Sequence, residues 1–442
     1  MSDKIAHVAE AMQTVLDTVP ESAARSTGFI KRLRKLTAPV FVKTLVFGWL
    51  ADPGAGLEAL TRVAALLGSP IKPQSLEERF TPEAAALLLQ TLEASLAAVV
   101  AADPVPIPLL KRFTEVVVLD SSTVALPESF RLGYAGCGTS NPQAGNAAVK
   151  LTVAWDLKGG RLRGPLLDAG RVNDKKAAER LEDLPAGSLR VADLGYFHLD
   201  RMAAMTQDGV FVLSRFLPLT VVYDEQGVPW RRLSELLERC GPRVERTIHL
   251  GEQARLPCRL LAVRVPPEVA EQRRRKLNHD AQSQRRRISP EVLALADWTI
   301  YVTTAPASKL SLEEALEIGR ARWQIELLFK LWKSEGRLDE SKSAKPMRVL
   351  CELYAKLVAM IIQHWVILVS GWEHADRSLV KMVQTIRERA WDLAETVGRP
   401  SRFRRLILGF RRIFANGCRV DRRRKHPATC HRLLNLGCEG LT

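Results

Sequence analysis

Two aspartates stand at the ends of short apolar segments that have the pattern of β-strands. Asp120 follows Val116–Leu119, and Asp193 follows Leu189–Ala192. A carboxylate at the end of a buried strand is costly unless it is paired or binds a cation. Aspartate is also common in turns after strands, so an ordinary turn is the alternative. Two such carboxylates within reach of each other can hold a divalent metal ion, and a third would suit two-metal phosphodiester chemistry.

A third carboxylate, Glu326, lies in a segment with helical periodicity. Arg322, Lys330 and Lys333 are spaced around it so that all four side chains would share one face of a helix. A solvated ladder of salt bridges has the same spacing. Because the remainder of the segment is mostly apolar, we expect these charges to lie where water or a ligand reaches them.

The charge balance indicates a polyanionic partner. The 442 residues include 65 Lys and Arg against 49 Asp and Glu, which gives a formal net charge of +16. Such a surplus fits nucleic acid or an anionic membrane surface and argues against an enzyme of small cationic metabolites. Hydrophobic residues make up 46% of the chain, which excludes a disordered protein.

Cysteine usage and hydropathy favour a cytoplasmic protein. The 7 cysteines are irregularly spaced and include no CxxC pair, as expected in a reducing compartment. We expect no signal peptide, since the first residues lack an apolar segment. The most apolar stretch, 357–371, contains Gln363 and His364 and falls short of the roughly 20 residues that span a membrane. We interpret it as a buried helix, so nucleic acid is the favoured partner.

The order of the periodic segments predicts an α/β protein with helical regions at both ends. Residues 1–105 have helical patterns, prolines mark a linker at 104–108, and strand patterns begin after it. Short strand-like segments fill 219–305, where a basic run interrupts them. Helical patterns then return, and the end of the chain is strongly basic.

Three segments together resemble the DDE transposases of the bacterial insertion-sequence 4 family. The first is the strand 116–123 with Asp120, and the second is 191–197, which matches the family's Asp-x-Gly-Tyr segment at Asp193. The third is the Tyr-x2-Arg-x3-Glu-x6-Lys signature, on which three residues fall in register: Arg322, Glu326 and Lys333. The tyrosine position is Gly319, so the contribution of that tyrosine is missing or supplied elsewhere.

The resemblance implies a domain organisation. A ribonuclease H-like catalytic core would be formed by 110–218 and 306–372, with a β-rich insertion domain at 219–305. An N-terminal helical domain, 1–105, would bind the DNA ends. The basic helical region 373–442 would serve dimerisation or DNA contact.

The resemblance also implies roles for individual residues. Asp120, Asp193 and Glu326 would be the catalytic carboxylates and would ligate two Mg²⁺ ions, or Mn²⁺ in their place. Five further residues would contact DNA: Arg215, Trp298, Arg322, Lys330 and Lys333. Trp298 would stack on a flipped base beside the cut, although a core tryptophan at a strand start fits the same pattern.

The implied activity is cut-and-paste transposition. The protein would bind terminal inverted repeats, cleave the DNA through a hairpin intermediate and join the 3′ hydroxyl to target DNA, acting as a homodimer on two ends. It would be cytoplasmic, associated with the nucleoid when bound to DNA, and without membrane contact. One alternative is a domesticated or inactive transposase-derived protein that binds DNA without cutting it. Another is a glycosidase with a carboxylate pair, against which the charge of +16 argues.

Overall fold

The computed structural model describes residues 2–30, 36–137, 146–230, 232–421 and 428–436. The chain divides into two compact units, each assembled from three stretches. The helical unit comprises Met1–Ile107, Ser121–Asn173 and Gln324–His431. The sheet unit comprises Pro108–Asp120, Asp174–Trp323 and Arg432–Thr442.

Helices and strands are both abundant, so the predicted mixed α/β class is confirmed. The helices in chain order are α1 (Ser2–Gln13), α2 (Val19–Ser26), α3 (Ala38–Ala51), α4 (Leu57–Leu66), α5 (Pro73–Glu77), α6 (Pro82–Ala97), α7 (Pro108–Lys111), α8 (Asp174–Glu179), α9 (Leu199–Gln207), α10 (Leu233–Cys240), α11 (Pro267–Ser283), α12 (Pro290–Ala294), α13 (Leu312–Ala321), α14 (Trp323–Ser334), α15 (Pro346–Ser370), α16 (Leu379–Glu388), α17 (Ala390–Thr396), α18 (Pro400–Asn416) and α19 (Thr429–Leu436). The strands are β1 (Val116–Leu126), β2 (Ala147–Asp156), β3 (Leu162–Ala169), β4 (Leu189–Ala192), β5 (Phe211–Arg215), β6 (Val222–Tyr223), β7 (Pro229–Trp230), β8 (Arg243–Leu250), β9 (Leu256–Arg264) and β10 (Trp298–Thr303).

The helical unit is built around α15. The most apolar window of this helix is entirely buried, and α3, α6 and α18 pack against it. By length and composition α15 could cross a membrane, but the core helix of a soluble protein passes the same test. The helix begins at Pro346 and is therefore longer than the apolar stretch 357–371 of the sequence analysis. The predicted burial of that stretch is confirmed.

The sheet unit contains strands in the order β1-β4-β5-β10-β9-β8-β6-β7. The first three are parallel, and the pairs from β5 onward are antiparallel. Val116–Leu119 and Leu189–Ala192 are buried throughout, as is typical of parallel strands covered on both faces. The carboxyl ends of β4 and β5, and the residues of β1 beside them, therefore face the same edge of the sheet.

Strand β1 differs from its prediction in length. The sequence suggested that it stops at Asp120, but β1 continues to Leu126. Only its pairing with β4 ends there, since the last paired residues are Leu119 and Ala192. A strand continues as long as it pairs on either side, so the end of its pairing with one neighbour does not end it. A pattern of apolar residues indicates where a strand is buried, not where it is paired.

Helix α13 lies in the sheet unit and carries Gly319, the first position of the signature, just before Arg322. Its first turn is fixed by a capping box, in which the Ser311 hydroxyl accepts from the Glu314 N–H and the Glu314 carboxylate accepts from the Ser311 N–H. The helix packs against β5 and ends at Ala321. Because α14 starts at Trp323, Arg322 is the single residue between two helices, and its backbone angles stay in the right-handed helical region. The predicted helix through Arg322 is therefore interrupted there, without leaving helical geometry.

Candidate active site

The strand register places the two aspartates next to each other. In the parallel pair β1–β4, Leu119 lies opposite Ala192, so Asp120 and Asp193 are the next residues on neighbouring strands. In the pair β4–β5, Ala192 lies opposite Ser214. Arg215 is therefore the neighbour of Asp193 on the other side.

The guanidinium group of Arg322 lies near both carboxylates but within hydrogen-bond distance of neither. Its Nη1 lies 3.7 Å from Asp120 Oδ2, and its Nη2 lies 3.9 Å from Asp193 Oδ2. These distances exceed those of hydrogen bonds. The Asp120 side chain is 23% exposed and that of Asp193 is 42% exposed, so solvent reaches both. Asp120, Asp193 and Arg322 form a group that we call the edge cluster.

The Asp193 carboxylate is not used to support the local backbone. Asp193 precedes a single 3-10 turn, Leu194–Tyr196, yet its side chain makes no capping hydrogen bond to that turn. An aspartate at such a position ordinarily caps the turn. Capping of this turn therefore does not explain why the residue is an aspartate.

The edge cluster has the donors that a divalent metal ion requires. Carboxylate oxygens are the preferred ligands of Mg²⁺ and Mn²⁺. Asp120 and Asp193 provide them from adjacent strands, and the guanidinium of Arg322 shows that a positive charge is accommodated beside both. Across the described ranges, no group of three or more His, Cys, Asp or Glu side chains is arranged for a metal ion. The two aspartates therefore fit part of such a site.

The remaining signature residues lie on α14, which belongs to the helical unit from Gln324 onward. Glu326 is half-buried and Lys330 is exposed. Lys333 donates from Nζ to the Thr123 carbonyl at 2.9 Å, a contact with the second half of β1. In this conformation Lys333 supports the backbone of the strand that carries Asp120.

A cavity of about 370 Å³ opens in the sheet unit close to this edge. Its wall begins at Leu194, the residue after Asp193, and includes Arg215 and Trp298. Further charged side chains of the wall are those of α11, namely Arg273, Lys276 and Asp280. The cavity therefore joins two of the predicted DNA-contacting residues, with cations in excess.

Trp298 is held firmly at one side of the cavity. It is buried, and its ring centroid lies 5.7 Å from the guanidinium carbon of Arg264 on the paired strand. Arg273 donates from Nη1 to the Trp298 carbonyl at 2.8 Å and from Nη2 to Thr299 Oγ1 at 2.9 Å. At 3% exposure Trp298 has a core position in this structure, with part of it at the cavity wall.

Electrostatics favour an anion in the cavity. Burial lowers the pKa of Arg273, and the like charge of Arg215 lowers it further. Two guanidinium groups that repel each other at a cavity wall are stabilised by a negative charge between them. Phosphate is the obvious anion for such a pair, because arginine binds it in a bidentate manner.

Comparison with known proteins agrees with this geometry. The family model described as the transposase DDE domain matches residues 111–362, more than half of the chain. The chain belongs to the DDE transposase family. The predicted recognition as a DDE transposase of insertion sequences is thereby confirmed.

The curated relatives of this transposase are insertion-sequence transposases. The transposase of IS231F from Bacillus thuringiensis subsp. israelensis is 26% identical over 378 residues, which cover 80% of this chain and 78% of the relative. The transposase of IS231E from Bacillus thuringiensis subsp. finitimus is 25% identical and covers 80% and 78%. That of IS1151 from Clostridium perfringens is 25% identical over 282 residues, 58% of each chain.

Sequence reasoning did not single out three residues of the transposase that border the edge cluster or the cavity. Arg273 and Lys276 belong to a basic run whose sequence indicates contact with an anion, but the sequence does not distinguish them from their basic neighbours, and the cavity wall does. Tyr301 lies in a buried strand and gave no signal in the sequence. Its ring occupies the space next to Gly319, the signature position that lacks its tyrosine.

Proposed function

We propose that this transposase binds the terminal inverted repeats of its element, cleaves the DNA at each end with divalent metal ions and joins the 3′ hydroxyl to target DNA. The observation that carries the proposal is the edge cluster, in which two solvent-accessible carboxylates on adjacent strands lie 3.7 Å and 3.9 Å from the guanidinium group of one arginine. This arrangement suits phosphodiester chemistry better than a structural ion pair, because neither carboxylate is committed to a short hydrogen bond with Arg322.

In this proposal Asp120 and Asp193 hold Mg²⁺, or Mn²⁺, and Glu326 is the third carboxylate. The assignment of Glu326 rests on the signature spacing of the sequence. When bound, two metal ions supply an activated water and stabilise the leaving oxygen. The residues of the chain fix the carboxylates on strands, and a strand is a more precise support than a loop.

The cations next to the carboxylates would bind the DNA backbone. Arg322 and Arg215 stand at the sheet edge on either side of Asp193 and would contact phosphate beside the cut. Lys330 and Lys333 would extend this contact along the helix α14. A fixed cation at the reacting phosphate stabilises the charge that develops there.

Trp298 would stack on a flipped base in the cavity, with Arg215 and Arg273 close to the phosphate of that nucleotide. The cavity supports this role, because it offers an aromatic wall and cations in one space. A hairpin intermediate would follow from the sharp bend that a flipped base allows at the DNA end.

The proposed organisation follows the predicted domains. The ribonuclease H-like core would be formed by 110–218 and 306–372, and the insertion domain by 219–305. The helices of 1–105 would recognise the ends. The region 373–442, of which the structure describes 373–421 and 428–436, would mediate dimerisation or DNA contact. The transposase would act in the cytoplasm at the nucleoid, as a homodimer on two DNA ends.

A denaturing-gel assay tests the proposal. A labelled duplex of the inverted repeat that flanks the gene is incubated with the protein and Mg²⁺, and wild type is compared with Asp193→Asn and Asp193→Ala. We expect nicked strands and a slow-migrating hairpin with wild type only, and equal DNA binding by all three proteins. Binding without cleavage by wild type would instead indicate a DNA-binding protein derived from a transposase.

A further inference from the structure

Gly319 and Tyr301 share one space in the sheet unit. A Cβ atom built on Gly319 would lie 2.4 Å from Cζ, 2.5 Å from the hydroxyl oxygen and 2.6 Å from Cε1 of Tyr301. Atoms that are not bonded do not approach so closely in a packed protein. The phenol of Tyr301 therefore fills the place that a side chain at position 319 would take.

The register of the sheet places Tyr301 near the edge cluster, on the side of strand β5. Tyr301 on β10 is paired with Arg215 on β5, the strand next to β4. Gly319 lies on α13 about one turn before Arg322. Contact with Gly319 and pairing with Arg215 together place the phenol between the two arginines that border Asp193.

The charges around the phenol agree with this placement. Burial raises the pKa of Tyr301, whereas Arg215, Arg322 and Arg320 lower it and Asp193 raises it further. Three cations and one carboxylate thus act on a single hydroxyl group. The net field at the hydroxyl is positive and favours an anionic hydrogen-bond partner.

Among the residues that the structure describes, no hydrogen bond joins the Tyr301 hydroxyl to another side chain or to the backbone, and this hydroxyl is not one of the buried polar atoms that lack a partner. The ring is therefore packed, at 8% exposure of the residue, while solvent reaches the hydroxyl. A phosphate oxygen of bound DNA would replace that solvent, and the neighbouring guanidinium groups of Arg215 and Arg322 would bind the same group.

We infer that Tyr301 is a DNA-contacting residue of the active site, whose hydroxyl donates a hydrogen bond to a backbone phosphate between Arg215 and Arg322. The inference rests on the proposed function. Tyr301 thereby provides from β10 the aromatic hydroxyl that the signature would place at 319 on α13. Gly319 is then required, because any side chain at that position displaces the ring.

The first test removes only the hydroxyl. Tyr301→Phe keeps the ring beside Gly319, so we expect an unchanged melting temperature. The single-turnover cleavage rate of the inverted-repeat duplex should fall roughly 10- to 100-fold, the range for a hydrogen bond to a charged group. Tyr223→Phe is the matched control, since Tyr223 is a buried tyrosine on β6 of the same sheet. It should cut at the wild-type rate.

The second test moves the tyrosine back to the signature position. Gly319→Tyr alone should lose cleavage, because the new side chain collides with Tyr301. Tyr301→Ala alone should also lose cleavage. The double variant Gly319→Tyr/Tyr301→Ala should cut faster than either single variant, because only there does one phenol fill the space. A double variant that is no faster than Tyr301→Ala would overturn the inference.

The outcomes separate the two proposals. If wild type cuts and Tyr301→Phe cuts equally well, the hydroxyl has no role and only the inference fails. If wild type neither binds nor cuts the duplex, both fail together. A slow Tyr301→Phe with a lowered melting temperature would assign the residue to the core instead and would also overturn the inference.

Discussion

Two arginine–carboxylate clusters border strand β4, and they differ in distance and burial. In the inner cluster, Glu182 accepts from Arg190 Nη2 at 2.6 Å and Nε at 2.8 Å, and from Arg201 Nε at 3.1 Å. The side chains of Glu182 and Arg190 are 1% and 3% exposed. The Glu182 carboxylate and the Arg190 guanidinium group thus pair at hydrogen-bond distance away from solvent, whereas Arg201, which is 31% exposed, adds a second cation from the surface.

The edge cluster, at the carboxyl end of the same strand, has longer distances between its charged groups and is open to solvent. Arg322 stays 3.7 Å from Asp120 and 3.9 Å from Asp193, and solvent reaches both carboxylates. Removal of one partner from a buried ion pair strongly destabilises a protein, because the other charge is left buried and unpaired. An accessible ion pair contributes little to the free energy of unfolding. The same residue types are therefore sealed from solvent in one place and reached by solvent in the other.

The largest expected effect concerns the inner cluster. Glu182→Ala leaves the buried guanidinium of Arg190 without its carboxylate, so we expect the free energy of unfolding to fall by about 3–5 kcal/mol. Chemical denaturation measures it. Asp193→Ala is the matched control at the edge cluster and should change stability by less than about 1 kcal/mol. Equal losses in both variants would remove the distinction between the clusters.

The edge cluster should respond in activity instead. Arg322→Ala removes the cation that stands beside both carboxylates, and we expect DNA cleavage to slow by about 10²–10³-fold. The melting temperature of the variant is measured beside the rate, so that a loss of stability is distinguished from a loss of catalysis. Arg322→Lys retains the charge and should recover part of the rate. Cleavage by Arg322→Ala at the wild-type rate would exclude a catalytic role for the arginine.

A buried group without an opposite charge extends the comparison to the helical unit. Burial lowers the pKa of His364 to about 4, although its Nε2 donates to the Gly160 carbonyl at 2.7 Å. Since the ordinary value is 6.5, only the unfolded chain takes up this proton between pH 6.5 and 4. The folded state should therefore lose about 3 kcal/mol as the pH falls through that range, and its contribution is intact above it.

Denaturation across this pH range measures the contribution of His364. In His364→Gln the slope due to this group should vanish, and the difference from wild type isolates it from the carboxylates. His279→Gln is the control, because the His279 side chain is 83% exposed. A wild-type slope that His364→Gln leaves unaltered would show that burial does not exclude the proton.

The smallest effect is expected on the surface of α14. Lys330 is exposed, whereas Lys333 donates to the Thr123 carbonyl. Lys330→Ala should weaken binding of the inverted repeat and reduce the slope of log K against log salt by about 1, as the loss of one phosphate contact does. Fluorescence anisotropy at several salt concentrations measures the slope. An unchanged slope would place Lys330 outside the DNA interface.

The positions of the two strands before the aspartates were predictable, because they depend on residues that are adjacent in the sequence. The apolar segments before Asp120 and Asp193 become adjacent parallel strands, and the aspartates follow the last paired residues. The strand before Asp193 ends as predicted. The helix through the signature was predicted as continuous, yet α13 and α14 are separated at Arg322, although this residue keeps right-handed helical backbone angles. A period of 3.6 residues does not reveal an irregularity of a single residue.

The sequence by itself determined the α/β class, the two strand-end aspartates and the family, since periodicity and motif spacing are local properties of the chain. The tertiary structure decided which charges solvent reaches and which are buried, because burial depends on what packs over a residue. It also decided that Tyr301 fills the space beside Gly319. The two residues lie on different elements, and only the register of β10 and the packing of α13 bring them together.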